Sequence, residues 1–180
     1  MTRSIALLRY AVTAGCFAAS LFCVGCAAPQ YDDQVDKAIS TLQSDIDTEL
    51  VVLSSLGRRI QYLRDKTDAS SLKALAEAQA KASFDANSAS YDKIRVDLTT
   101  VQIRVSASPS PATAQVNQAL VSLNANLFMD PKSLVEVHRQ QGVLGADYVM
   151  LQENILDQQL IALLRYVLVL KTGGSPSTSK

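Results

Sequence analysis

Between Val35 and Leu63 apolar residues recur at alternating steps of four and three. The row is Val35, Ile39, Leu42, Ile46, Leu53, Leu56, Ile60 and Leu63, broken only by Glu49. A seam kept for about four heptads lies on one face of a continuous helix and is buried by packing against other helices. In a strand the same row would be split between opposite faces. Asp32, Asp33 and Asp36 stand at the start, and Arg58, Arg59, Arg64 and Lys66 at the end. Those charges complement the helix dipole at both termini. Gly57 reads as a mild weak point beside the seam. Helix packing is therefore the first constraint on this chain.

The remaining segments follow the same period. Asp68 and Ser70 are both N-cap candidates ahead of Leu72, and Leu72 to Ala89 is alanine-rich, with a small-residue surface suited to close packing. From Phe84 the steps Tyr91, Ile94, Leu98, Val101 and Val105 fit a heptad. The stretch from Ile94 to Val105 also alternates like two short strands. Helix is the expectation there, since an isolated strand pair in a helical chain is marginal. Ser106 to Pro111 ends the segment. Thr113 is expected to cap a short helix carrying Val116, Leu120, Leu123 and Leu127. Asp130-Pro131 interrupts it, as N-cap and first helical residue of the next segment. That last segment runs from about Ser133 to Lys171, with a seam of Leu134, Val137, Leu144, Tyr148, Leu151 and Ile155. Its end, Leu160 to Leu170, is apolar nearly all round except Arg165. Eleven residues are too few to cross a bilayer, so the stretch reads as a deeply buried helix. Gly173-Gly174 stops it. The expected fold is all-α: an elongated antiparallel bundle of three long helices and one shorter one, after an N-terminal signal segment.

Arg3 and Arg9 precede an uncharged, largely apolar run from Tyr10 to Gly25, and Cys26 follows, then Ala27-Ala28-Pro29. A basic region before an apolar one reads as a secretory signal. All three cysteines (Cys16, Cys23 and Cys26) fall in or at the end of this leader, so the body can hold no disulfide. Val24-Gly25-Cys26 resembles the lipobox of bacterial lipoprotein precursors. The resemblance implies cleavage after Gly25, lipidation of Cys26, and, with alanine rather than aspartate next, passage to the outer membrane. Cys23 departs from the family pattern, which has leucine there, and Cys16 after Thr13-Ala14-Gly15 also resembles the box. An uncleaved single-span anchor, Tyr10 to Ala28, is the alternative reading. More loosely, the body is similar to small helical proteobacterial lipoproteins of unknown function, on Tyr31 to Gln43 and on Tyr91-Asp92 with Asp97-Leu98. That family supplies no catalytic residues.

Composition removes several classes of function. Seventeen basic and seventeen acidic residues cancel, which excludes a polybasic nucleic-acid coat. Losing the leader takes Arg3 and Arg9 and leaves two more acids than bases. His138 is the sole histidine, so no multi-histidine metal site can form. A structural or solvated role is expected for it, at the edge of the last seam. A haem held by His138 with Met129 or Met150 is conceivable but lacks a CxxCH attachment. Glu49, in a core-type position near Asp45 and Asp47, would be suggestive if buried. The glutamines Gln140, Gln141, Gln152, Gln158 and Gln159, with Asn117, Asn124 and Asn126, make either a solvated face or an interface that is cheap to desolvate.

The domains expected are a signal peptide over 1–25, a lipidated cysteine and spacer over 26–32, a helical bundle over 33–172 and a disordered tail over 173–180. The expected role is non-enzymatic: a lipid-anchored, periplasm-facing structural or protein-interaction module, with a surface at Gln152, Gln159 and Leu163. No cofactor, metal or nucleic acid is expected. The partners expected are membrane lipid through Cys26 and an envelope protein, with self-association open as well. The alternative is a bundle holding a small apolar ligand or cofactor in its core.

Overall fold

The structure is a computed structural model that describes residues 33–107 and 111–171, all within one compact unit, Tyr31–Lys180. The leader, Gly25, Cys26, the spacer and the tail lie outside the described residues. Every element described is helical: α1 (Asp33–Arg64), α2 (Ala69–Lys81), α3 (Phe84–Ser106), α4 (Pro111–Asn124), α5 (Leu134–Gln141) and α6 (Ala146–Lys171), with a π-helical turn at Ala125–Met129. No described helix is long and apolar enough to cross a membrane.

α1 is the spine. Its 32 residues run roughly 48 Å at 1.5 Å per residue. Val35, Ile39, Leu42, Ile46, Leu53, Ile60 and Leu63 are all buried, as the seam requires, and Leu50 joins them beside Glu49. α1 packs against α2, α3 and α6, and α4 closes the bundle against α3 and α6. Neighbours run antiparallel. Asp36 at the start of α1 pairs with Lys171 at the end of α6 at 3.7 Å, while Gly57 late in α1 lies against Ala146 at the start of α6. Lys93 of α3 bridges Asp45 of α1 and Asp97 of its own helix, an exposed arrangement of small energetic weight.

The Ile94 to Val105 stretch is helix, with Tyr91, Ile94, Leu98, Val101 and Val105 buried on one face. Asp68 is the N-cap of α2, accepting from the Ser71 amide. Two breaks divide segments that the periodicity alone runs together. Ala82-Ser83 separates α2 from α3, with Ser83 capping the latter. Gly142 to Gly145 separates α5 from α6; Gly142 ends α5 at φ 73°, where glycine meets no steric penalty.

Three boundary details differ from expectation. α4 begins at Pro111, so Thr113 lies inside its first turn rather than capping it; proline fits there because a first-turn amide needs no helical acceptor. Ser133, not Asp130, caps α5 by accepting from the Glu136 amide. Asp130 instead accepts from Lys132 N in the turn. The phase of α6 is also shifted. Its buried row is Val149, Gln152, Leu156, Leu160, Leu163 and Val167, and Leu151 is 56% exposed. The loop over Gly142 to Gly145 leaves the helix, so the phase set at Leu134 does not carry through it. The apolar end of α6 is consequently one-sided: Ile161 and Leu168 are exposed, as is Arg165, which therefore needs no buried counter-charge.

Candidate functional site

The end of α2 leaves carbonyls with no helical donor. Side chains from other turns take them. Asn87 Nδ2 donates to the Lys81 carbonyl at 3.0 Å and to the Ser83 carbonyl at 2.8 Å. His138 Nε2 donates to the Ala82 carbonyl at 2.9 Å across 56 positions of sequence. The Phe84 amide donates in return to the Gly142 carbonyl at 3.0 Å. The α2–α3 elbow is thereby tied at two points to α5.

His138 is 0% exposed. Because a carbonyl can only accept, Nε2 carries the hydrogen and Nδ1 is left as acceptor. Tyr91 of α3 fills that role, donating its hydroxyl to Nδ1 at 2.6 Å. Phe84 stacks on Tyr91 with ring centroids 5.9 Å apart, and His138 meets both rings edge-on at 5.7 Å. Burial pushes the His138 pKa below its ordinary value. Burial, then the charge of Glu49, pushes Tyr91 far upward. The histidine is thus a core residue, more completely enclosed than an edge position implies. Its two nitrogens are both committed, and Met129 and Met150 are 73% and 55% exposed, which leaves no arrangement for axial haem ligation.

Glu49 is the second buried titratable group, 4% exposed. Its Oε1 has no hydrogen-bond partner, and burial raises its pKa against an opposing hydrogen bond with Ser90. Asp47 nearby on α1 is raised by burial and by the Asp157 and Glu153 charges of α6. Among the described residues no group of three or more His, Cys, Asp or Glu side chains could hold a metal ion.

Gln152, Gln159 and Leu163 share one face of α6, but that face is turned into the bundle and is not the exposed interaction surface expected. Leu163 is 1% exposed and belongs to the core. Gln152 is buried too, donating to the Tyr148 hydroxyl at 3.0 Å, while that hydroxyl donates to the Lys132 carbonyl at 2.9 Å. Its work is to secure the turn before α5. Gln159 alone reaches a surface feature. It lines an open groove of about 340 Å³ between α4 and α6 with Gln115, Gln118, Ala119, Ser122, Ala162 and Tyr166. Its Oε1 is buried without a partner. Part of its lining was legible in the sequence, since Gln115, Gln118 and Ser122 recur at helical spacing on α4; that they lie opposite Gln159 and Tyr166 of α6 comes from the fold alone.

Compared with known proteins, the chain matches no family model, no curated protein and no solved structure.

Proposed function

We propose that this chain is a lipid-anchored helical module facing the periplasm, held to the membrane through acylated Cys26 and acting by contact with another envelope protein. The anchor rests on the leader: Arg3 and Arg9, the apolar run to Gly25, Cys26 at the lipobox position and a cysteine-free body. Two acyl chains suffice for stable attachment where one is marginal. Outer-membrane residence follows from Ala27 by the same resemblance.

The observation that carries the contact role is the α4–α6 groove. The bundle fills its centre with its own seams, yet this groove stays open and is lined by residues without charge. Uncharged polar side chains are cheaper to desolvate than charged ones, and Gln159 Oε1 still lacks a partner there. A core-bound apolar ligand has weaker support, because the seam leucines that would line its cavity already pack on one another.

Cys26→Ser tests the anchor. An alkyne fatty acid should no longer label the protein, and the protein should leave the membrane fraction; undiminished labelling, or labelling at Cys16, refutes the assignment. For the contact role, a photo-crosslinker at Gln118 should give a discrete adduct in intact envelopes that Gln159→Arg abolishes. One at Lys73, exposed on α2, should give none. Adducts at Lys73 and not at Gln118 would reject the groove.

A further inference from the structure

We propose that the junction of Tyr91, His138 and the Ala82 carbonyl is an acid-sensitive latch: protonation of His138 releases α5 from the α2–α3 elbow while the rest of the bundle stays folded. The inference does not rest on the anchoring or contact reading above.

The geometry admits only neutral imidazole. Nε2 donates to the Ala82 carbonyl, and Nδ1 accepts from the Tyr91 hydroxyl at 2.6 Å. A proton added at Nδ1 puts two donors face to face. Tyr91 must then turn its hydrogen away, and the cation sits at a position with no solvent access. α5 itself carries Arg139, whose guanidinium lies over the Phe84 ring at 5.3 Å and pairs with Glu136 at 2.9 Å. Its positive charge works against a second cation. α3 supplies Tyr91, which burial keeps protonated. α1 supplies Glu49, whose charge acts on Tyr91 rather than on the imidazole and which burial drives toward its neutral form as pH falls. α6 supplies Tyr148, also raised by burial. The α2 end brings exposed Lys81, a further positive charge, and backbone carbonyls that already accept from Asn87 and His138. The Ala82 and Gly142 carbonyls favour the cation, but less than burial opposes it.

The sign follows. His138 sits below its ordinary value of 6.5 in the fold, so its contribution is fully present above about 6.5 and is lost as pH falls from there toward the native value. Glu49 works in the other sense, since a raised carboxyl favours the fold as pH falls. The bonds lost on protonation are those His138 makes to Tyr91 and Ala82, so the opening starts at the latch. Releasing it frees the Phe84–Gly142 bond as well, so residues 82–91 and 134–145 should open as a unit.

The experiment is hydrogen exchange by mass spectrometry on the full chain in detergent, without a histidine tag, between pH 7.5 and 5. After correction for intrinsic rates, peptides over 82–91 and 134–145 should lose protection roughly tenfold for each pH unit below about 6.5, until the native His138 value is reached. Peptides over residues 39–53 should stay protected. His138→Gln, which retains a donor toward Ala82, should abolish the pH dependence. Because this histidine is alone in the chain, its ring NMR signals titrate without overlap and decide the matter even where the variant folds poorly. Expected is a midpoint below 6.5 that coincides with the opening of 134–145. The proposal is overturned by pH-independent protection at both segments, by equal loss over 39–53, or by ring titration near 6.5 with the segments closed.

Discussion

Replacing Gly57 with alanine sets two effects of opposite sign against each other. In a helix interior, alanine is favoured over glycine by about 0.5–1 kcal/mol, so sequence reasoning alone predicts that Gly57→Ala stabilises α1. The structure predicts the reverse. A Cβ at position 57 would lie 3.0 Å from Ala146 N, 3.2 Å from Ala146 Cα and 3.2 Å from the Leu144 oxygen. Comfortable carbon contacts begin near ~3.5 Å. All three neighbours are backbone, at the start of α6 and in the loop just before it, so none can swing aside as a side chain would. The start of α6 has to shift, and overpacking of this kind costs about 1–3 kcal/mol. Set against the propensity gain, the expected net loss is about 1 kcal/mol. Urea unfolding followed by far-UV circular dichroism measures it. Two companion variants isolate the cause. Nothing lies within 4 Å of a Cβ at Gly145, so Gly145→Ala should stay within about 0.5 kcal/mol of the parent. Gly142 has equal space but a φ of 73°, so Gly142→Ala should lose about 1 kcal/mol through backbone strain. If Gly57→Ala proves more stable than the parent, α1 and α6 do not approach this closely, and the account of the glycine fails.

The other predictions concern buried positions. Leu53 is 2% exposed, so Leu53→Ala should cost about 2–5 kcal/mol, against less than about 0.5 kcal/mol for Lys73→Ala on the exposed face of α2; equal losses in urea unfolding would mean the seam is misassigned. Leu163→Glu should abolish cooperative thermal unfolding, because it places a charge in the core; a folded variant that merely lost an interaction would move Leu163 to the surface. Glu49→Gln should be more stable than the parent at pH 7 and lose that advantage as pH falls from the raised Glu49 value toward the ordinary 4.5, since over that window only the folded parent takes up the proton. A pH-independent difference between Glu49→Gln and the parent would show that Glu49 titrates as though exposed.

α1 was legible because its 32 residues form one continuous helix, so one phase, once found, places every apolar member of the row except Leu56, which is half-buried beside buried Gly57. The same logic holds for Tyr91 to Val105 in α3 and for Val116 to Leu127, where the π turn keeps Leu127 in the core. It fails in α6. Phase is a property of continuous helix, and the residues between Gly142 and Gly145 leave it, so a row begun at Leu134 points one position wrong beyond them. That single slip assigned Tyr148, Leu151 and Ile155 to the core in place of Val149, Gln152 and Leu156. The break at Ala82-Ser83 was hidden for a different reason: Leu72 to Ala89 is rich in alanine, whose propensity favours helix throughout. What marks the break is a mixture of local bonds, the Ser83 cap and the Asn87 donor to the Lys81 carbonyl, and one long-range bond, from His138 to the Ala82 carbonyl. Gln159 could be read as polar on an apolar helix, but its groove needs α4 beside it, and no spacing within one helix reports which neighbour it has.

The two buried polar residues, Glu49 and His138, differ in what their removal leaves behind. Glu49 interrupts a seam whose other members are apolar, and its Oε1 satisfies nothing; an apolar side chain of similar volume would restore the row. His138 sits where the chain turns. Its Nε2 is the donor for a carbonyl that the end of α2 cannot satisfy itself, and its Nδ1 takes the hydroxyl of a tyrosine with no solvent at hand. Replacing it with leucine would preserve much of the packing against Phe84 but orphan the Ala82 carbonyl and the Tyr91 hydroxyl together. Each unsatisfied buried group costs about 1–3 kcal/mol. A bundle of uninterrupted helices would have no need of such a residue. This one breaks between Lys81 and Phe84, and the break creates the demand that a neutral histidine, with one donor and one acceptor, meets on both sides.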